Sequence, residues 1–257
     1  MGLLDRQVAL ITGAGQGIGL AIAHAFAQAG AAVAIVEREA ARAEAACAGL
    51  QAHGFEARAF PLDITDYDAY AHAVDEIVAW KGHLDTLVNN AGVWHAGTIL
   101  TDTLADWRST MTVNLEAVYM GSKLVAPHMV RRRRGRIINI ASIAAYASRG
   151  NVSAYNASKG AVVAYTKSMA VELGRYNILV NAIAPGLIHT PMLSVAGNDE
   201  TTTPDFQEWY LDHGKIPLRR VGQPQDVAGA AVFLASSYCR YMTGETLIVD
   251  GGLMSTF

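Results

Sequence analysis

The chain has few cysteines, few prolines and almost no excess of charge. Cys47 and Cys239 are the only thiols in 257 residues and stand far apart. That excludes a disulfide-stapled scaffold and points to a reducing compartment, the cytoplasm. The eight histidines (His24, His53, His72, His83, His95, His128, His189 and His213) form no H-x-x-x-H pair and join no Cys pair, so a zinc site has no local support. Twenty Lys+Arg against 23 Asp+Glu leave a net charge of −3, which argues against wrapping nucleic acid. Only seven prolines occur, with no Pro/Gly/Ser-rich linker, low-complexity tract or repeat, so one domain over 1–257 is expected.

Long hydrophobic runs are also missing. Gln7 to Val36 carries no formal charge over 30 residues, long enough to imitate a membrane span. Gly13, Gly15, Gly17, Gly19, Gln16, His24 and Gln28 interrupt it, and the pattern reads as strand, tight turn, helix, strand. Met1 to Arg6 lacks an apolar signal core, and Arg6 stands where a myristoylation signal needs Ser or Thr. The expectation is an unexported cytoplasmic chain without a membrane partner.

What is present is alternation. Aliphatic runs near 7–11, 32–36, 55–60, 84–88, 136–140, 177–182 and 246–249 predict strands. Ala-rich stretches near 17–29, 39–52, 66–80, 104–133 with a break, 152–173 and 224–235 predict helices. Strands apolar at nearly every position suit a parallel sheet covered on both faces, hence an α/β fold. One connection is long, about 187–222, and a long connection usually serves function, here as a substrate-binding lid.

Thr12-Gly13-Ala14-Gly15-Gln16-Gly17-Ile18-Gly19 lies between the first strand and first helix, where free helix N–H groups and the dipole favour a pyrophosphate. The spacing is neither G-x-G-x-x-G nor a P-loop. Glu37 ends the second strand, where an acid can accept hydrogen bonds from an adenosine ribose and repel a 2′-phosphate. Its plain alternative is a solvated loop acid. Arg38 complicates the choice, because it could clamp a phosphate, but no basic residue occupies the turn at Gln16. NAD is therefore favoured over NADP.

Beyond this turn the residues resemble the short-chain dehydrogenase/reductase family over essentially the whole chain. The G-x-x-x-G-x-G turn, Asn89-Asn90-Ala91-Gly92, Asn114, Ser142, Tyr155-Asn156-Ala157-Ser158-Lys159, Pro185-Gly186 and Asp250-Gly251-Gly252 carry the likeness. The resemblance implies a Rossmann-type doubly wound parallel sheet of seven strands in the order 3-2-1-4-5-6-7, with helices on both faces. It also implies a nicotinamide cofactor at the carboxyl edge and a homotetramer or homodimer, in which helices near 104–133 and 152–173 pair and Leu253 to Phe257 lies near another interface.

The chemistry asks for some of the same residues. Removing a hydride from a carbinol requires its hydroxyl proton to leave, and a phenol with a pKa of about 10 is a poor base at neutral pH. Tyr155 and Lys159 share a helix face at i and i+4, so the ammonium is expected to lower the phenol pKa. Tyr119 and Lys123 have the same separation, but Tyr155 opens the helix after the fifth strand, at the ligand crevice. Ser142, just past that strand, could hold the substrate oxygen. By resemblance, Asn114 kinks a long helix and its carbonyl holds a water that relays protons through Lys159.

The resemblance further assigns cofactor contacts to Gly13, Gln16, Gly17, Ile18, Gly19, Glu37, Asp63, Ile64, Asn90, Ala91, Gly92, Tyr155, Lys159, Pro185, Gly186, Ile188 and Thr190. Asp63 and Ile64 would meet adenine, and Thr190 the carboxamide. Trp94, His95, Ser142, Tyr146, Tyr155, Leu187, His189, Met192 and Trp209, with Tyr210, could border the substrate; for several of these, simple packing serves as well. The basic run Arg131 to Arg134, with Arg136, reads as a helix C-terminus complementing its dipole or as a docking patch for an acyl carrier protein. The expected function is NAD-dependent interconversion of a secondary alcohol and a ketone on a small polyol, sugar or aryl substrate. The alternatives are an NADPH-dependent 3-oxoacyl-(acyl-carrier-protein) reductase and, more remotely, a non-catalytic dinucleotide sensor.

Overall fold

The computed structural model describes residues 2–195 and 198–256. Seven parallel strands form its main sheet: β1 (Val8–Thr12), β2 (Ala32–Glu37), β3 (Ala57–Pro61), β4 (Thr86–Asn89), β5 (Gly135–Ile140), β6 (Ile178–Pro185) and β9 (Thr246–Val249). Their spatial order is β3-β2-β1-β4-β5-β6-β9, so the last main strand takes the seventh place and the expected order holds. A two-stranded antiparallel ribbon, β7 (Ser194–Val195) with β8 (Asn198–Asp199), lies within the long connection.

Alternate residues of the central strands feed opposite cores, which is why these strands are largely apolar, whereas the edge strands β3 and β9 are partly exposed. Ala9 and Ile11 of β1 pack with α1 (Gly17–Gln28), α2 (Ala40–Ala52) and α8 (Pro224–Ala235). Val8 and Leu10 face α3 (Tyr67–Lys81), α5 (Ala117–Arg132) and α6 (Ser153–Leu173). In the sheet centre, buried Asn89 donates to Asn139 Oδ1 at 2.9 Å and Asn139 donates to Thr166 Oγ1 at 2.8 Å, tying β4, β5 and α6 together. Among the described residues no helix is long and apolar enough to cross a membrane.

Two departures from regularity position the site. The break expected in 104–133 is a π-helical turn, Thr112–Glu116, between α4 (Leu104–Met111) and α5. It turns Asn114 into the interior, where the residue is fully buried. The long connection is closed at its base: Ile188 bridges Gly222, the His189 N–H donates to the Gly222 carbonyl at 2.8 Å, and the Gly222 N–H donates to the Leu187 carbonyl at 2.9 Å. The excursion therefore leaves and rejoins the body at one point. Its far side carries a helical turn at Glu200–Thr202 and the short helix α7 (Pro204–Phe206), which is capped by the Thr203 hydroxyl and runs into a π-helical turn at Gln207–Asp212.

Candidate active site

A cavity of about 730 Å³ runs along the carboxyl ends of the strands, from Glu37 past Gly13 and Lys159 to Trp209. At the glycine turn, Gly13, Gln16, Gly17 and Ile18 line it. No side chain caps α1 and no acidic residue lies in its first turn, so its leading N–H groups are free for an anion. Gly19 is not a lining residue; a Cβ there would stand 2.3 Å from the Gly13 carbonyl oxygen, so its bareness lets helix and turn pack. Asn90 secures the same turn, donating to the carbonyls of Thr12 at 2.9 Å and Gly13 at 3.1 Å, so its amide serves the protein while its edge lines the cavity with Ala91 and Gly92. The turn is a glycine cradle at the uncapped N-terminus of α1, which fits a dinucleotide pyrophosphate.

Glu37 lies across this cradle. Its carboxylate accepts from the Gly15 and Glu39 N–H groups, each at 3.2 Å, and a Cβ on Gly15 would meet Glu37 at 2.8 Å. Arg38 and Arg42 line the cavity beside it. Sequence reasoning missed Arg42 because it looked for a second cation only in the glycine turn; the first turn of α2 brings it back over β2. Farther along the edge Asp63 accepts from the N–H and hydroxyl of Thr65 at 2.9 and 2.7 Å and lines the cavity with Ile64. Pro185, Gly186, Ile188 and Thr190 line it at the end of β6.

The structure brings Ser142, Tyr155 and Lys159 together on the cavity wall and Asn114 directly behind them. The Lys159 ammonium is buried, donates to the Ile140 carbonyl at 2.8 Å and stands 5.7 Å from the centre of the Tyr155 ring. Burial pulls its pKa from 10.5 down to about 8. Asn114 accepts from the Val93 N–H at 2.8 Å and donates to the Val93 carbonyl at 2.9 Å and to Ser158 Oγ at 3.1 Å. Its side chain thus pins the loop after β4 against α6.

One expectation needs correction. The phenol of Tyr155 is pushed up, not down: burial raises it, and the hydrogen bond with Ser142 is the opposing influence. The ammonium stands 5.7 Å from the ring centre, and burial lowers its own pKa as well. Proximity in sequence predicts the pair, but not which desolvation dominates.

Trp94, Leu187, Met192, Trp209 and Tyr210 line the cavity as expected. His95, Tyr146 and His189 do not. The His95 ring contacts Thr110 Oγ1 at 3.2 Å and Asp102 at 3.4 Å, Tyr146 is exposed, and His189 borders a second hollow between α1 and α8. Arg149, Lys215 and the C-terminal Leu253, Met254 and Thr256 line the cavity without having been anticipated. No motif marks them; each arrives by the return of a loop or of the chain end. The arginine run is largely spent on the fold: Arg132 meets Asp85 at 3.0 Å, Arg133 donates to the Arg175 carbonyl at 2.9 Å and Arg136 to that of Cys239 at 3.2 Å. Among the described residues no group of His, Cys, Asp and Glu could hold a metal ion.

Comparison with known proteins agrees with this geometry. A family model described as enoyl-(acyl carrier protein) reductase matches residues 13–254. Gluconate 5-dehydrogenase of Gluconobacter oxydans is 38% identical over 245 residues, 95% of this chain and 93% of that one. A 3-oxoacyl-(acyl-carrier-protein) reductase of Chlamydia pneumoniae is 38% identical over 212 residues, 82% of each chain. Among solved structures, gluconate 5-dehydrogenase of Burkholderia cenocepacia in complex with NADP and tartrate superposes with a TM-score of 0.92 at 37% identity, covering 99% of this chain and 97% of that one. A 7α-hydroxysteroid dehydrogenase complexed with NADH and 7-oxo glycochenodeoxycholic acid gives 0.91 at 38% identity, covering 98% and 96%. With its glycine cradle and its Ser142-Tyr155-Lys159 wall on the sheet edge, the chain belongs to the short-chain dehydrogenase/reductase family.

Proposed function

We propose that this chain is an oxidoreductase that interconverts a secondary alcohol and a ketone on a small polyol or aryl substrate, using a nicotinamide dinucleotide. The observation that carries the reading is the convergence of Tyr155, Ser142 and buried Lys159 on one wall of the cavity that begins at the glycine cradle. The relatives named for gluconate support a polyol substrate, one named for 2,3-dihydro-2,3-dihydroxybenzoate supports a ring substrate, and the one named for a hydroxysteroid supports the alcohol–ketone reaction. When bound, the dinucleotide supplies the acceptor or donor of a hydride.

The chain's own residues do the rest. Gly13 to Ile18 and the start of α1 would hold the pyrophosphate, Glu37 and Asp63 the adenosine end, and Pro185, Gly186, Ile188 and Thr190 the nicotinamide. In the oxidative direction the Tyr155 oxygen takes the substrate hydroxyl proton, and in reduction it returns one. The Ser142 hydroxyl holds the substrate oxygen as charge develops on it. Lys159 supplies the positive charge that makes a phenolate accessible against the cost of burial. Asn114 keeps the loop after β4 seated on α6, and the connection at 187–222 acts as the lid that excludes water.

A 3-oxoacyl thioester reductase is the second reading, favoured by the Chlamydia relative. The inward engagement of Arg132, Arg133 and Arg136 leaves less of the basic run for an acidic carrier protein. For the cofactor we favour NAD, because the Glu37 carboxylate faces a 2′-phosphate with like charge. Arg38 and Arg42 beside it are the features that would admit NADP. We also read exposed Tyr119 and Val171 on α5 and α6, and exposed Phe233 and Ile248 on α8 and β9, as contacts between copies of the chain.

Three outcomes follow. Tyr155→Phe should keep dinucleotide affinity while lowering kcat at least about a hundredfold, the range of a lost general acid-base; turnover close to that of the parent would refute the assignment. Wild-type kcat/KM should be higher with NAD than with NADP, and Glu37→Gln should move that ratio toward NADP by at least about tenfold, the equivalent of about 1.4 kcal/mol of relieved repulsion. A higher value with NADP in the parent would show that Glu37 does not select. Sedimentation velocity should show a species at least twice the 27.3 kDa of one chain; a monomer alone would contradict the interface reading.

A further inference from the structure

The charge of the cavity is divided along its length. Its acidic lining residues, Glu37, Glu39 and Asp63, all lie at the end of β2 or just after β2 and β3, at the proposed adenosine end. Beyond Gly92 the described lining has no carboxylate, yet it holds Arg149, Lys159 and Lys215. Two of these cations are tied to backbone oxygen, Lys159 to Ile140 at 2.8 Å and Lys215 to Thr256 at 3.1 Å. Arg149 is engaged differently. It sits on the segment that carries Ser142 and meets a carboxylate from the lid, Glu200, through both arms of its guanidinium: Nη1 to Oε1 at 2.9 Å and Nη2 to Oε2 at 3.1 Å.

This two-point arrangement is the one in which arginine recognises carboxylates, with a fork of parallel donors matched to two oxygens. Arg149 borders the cavity whereas its partner on the lid, Glu200, does not. Both side chains are about one-third exposed, and a pair so placed contributes at most about 1 kcal/mol. Exchange of one carboxylate for another therefore costs little. The backbone of Glu200 is held separately, its carbonyl accepting from the Thr203 hydroxyl at 2.9 Å, so its side chain can leave Arg149 without the turn unfolding.

We propose that Arg149 is the specificity residue for a carboxylate on the substrate, that the acid takes the two-point position now held by Glu200, and that a hydroxy acid is preferred over its neutral polyol counterpart. This deepens the reading of the site as an alcohol–ketone oxidoreductase and rests on it for turnover, though not for binding. Displaced from Arg149, the Glu200 carboxylate turns to solvent, and the net positive charge of the inner cavity is compensated by the substrate itself.

The test uses the full-length protein with gluconate and glucitol, which differ in a terminal carboxylate. Binding is read by calorimetric titration in the presence of reduced cofactor, where neither alcohol can turn over. Turnover is read as kcat/KM with oxidised cofactor. Gluconate should bind more tightly than glucitol, and Arg149→Gln should lower the gluconate-to-glucitol ratio at least about tenfold, mainly through KM, as for a lost charge-assisted hydrogen-bonding pair. Glu200→Gln, which removes the competing carboxylate and leaves Arg149 in place, should tighten gluconate binding about two- to fivefold. Equal binding of acid and polyol by the parent, an unchanged ratio in Arg149→Gln, or weaker gluconate binding in Glu200→Gln would each overturn the proposal. Arginine-dependent gluconate binding without turnover would uphold it and count against the oxidoreductase reading instead, whereas turnover with a ratio indifferent to Arg149 would do the reverse.

Discussion

The ammonium of Lys159 is the constraint around which the site is arranged. It is carried into the interior by the first turns of α6 and meets the carbonyl of Ile140 at the end of β5. The fall in its pKa from 10.5 to about 8 corresponds to about 3 kcal/mol of unfavourable burial at neutral pH. Stability alone would favour an apolar side chain at this position. The cation is retained at that cost because Tyr155, also desolvated, has its phenol pushed up and needs a nearby positive charge to ionise. Two unfavourable burials placed side by side offset one another only when the proton leaves the phenol, which is the step the chemistry requires.

The sheet provides the rigidity this arrangement needs. The Asn89-Asn139-Thr166 network holds β4, β5 and α6 in register a short distance below the site, and Asn114 fastens the loop after β4 to the same helix. Beside this fixed wall stands the connection at 187–222, closed at its base by the Ile188 and Gly222 pairing and tied to the segment after β5 by Arg149 and Glu200. In the proposed reading the wall carries the proton-transfer groups, and the segment that bears Ser142 also bears Arg149, the contact proposed for the rest of the substrate.

The fold was legible because its signals are local and repeated. Strands β2 and β9 and helix α8 fall within a residue of where the apolar runs and flanking turns place them. The wall was legible only in part from local signals: Tyr119 and Lys123 have the same spacing as Tyr155 and Lys159, and it was position after the fifth strand, with the family resemblance, that singled out the second pair and Ser142. Arg42, Arg149 and Lys215 were not legible, since each reaches the cavity by the path of a loop or chain end that carries no periodicity. His95 and His189 were misjudged as cavity residues because adjacency to a cofactor motif does not fix the direction of a side chain; local partners, Thr110 and Asp102 for His95, do. The direction of the Tyr155 shift could not be read either, because it depends on the balance between burial and the hydrogen bond with Ser142.

The most direct measurement is the pH dependence of kcat/KM in both directions at saturating cofactor, for the parent and for Lys159→Met. Oxidation should rise and reduction fall through one shared apparent pKa that belongs to the coupled Tyr155 and Lys159 pair. With the cation removed, only the Ser142 hydrogen bond opposes burial, and the same pKa should move upward from its position in the parent along with a loss of turnover at neutral pH. A profile whose pKa stays in place when Lys159 is replaced would contradict the account, because the ionising group would then be neither held nor tuned by that ammonium.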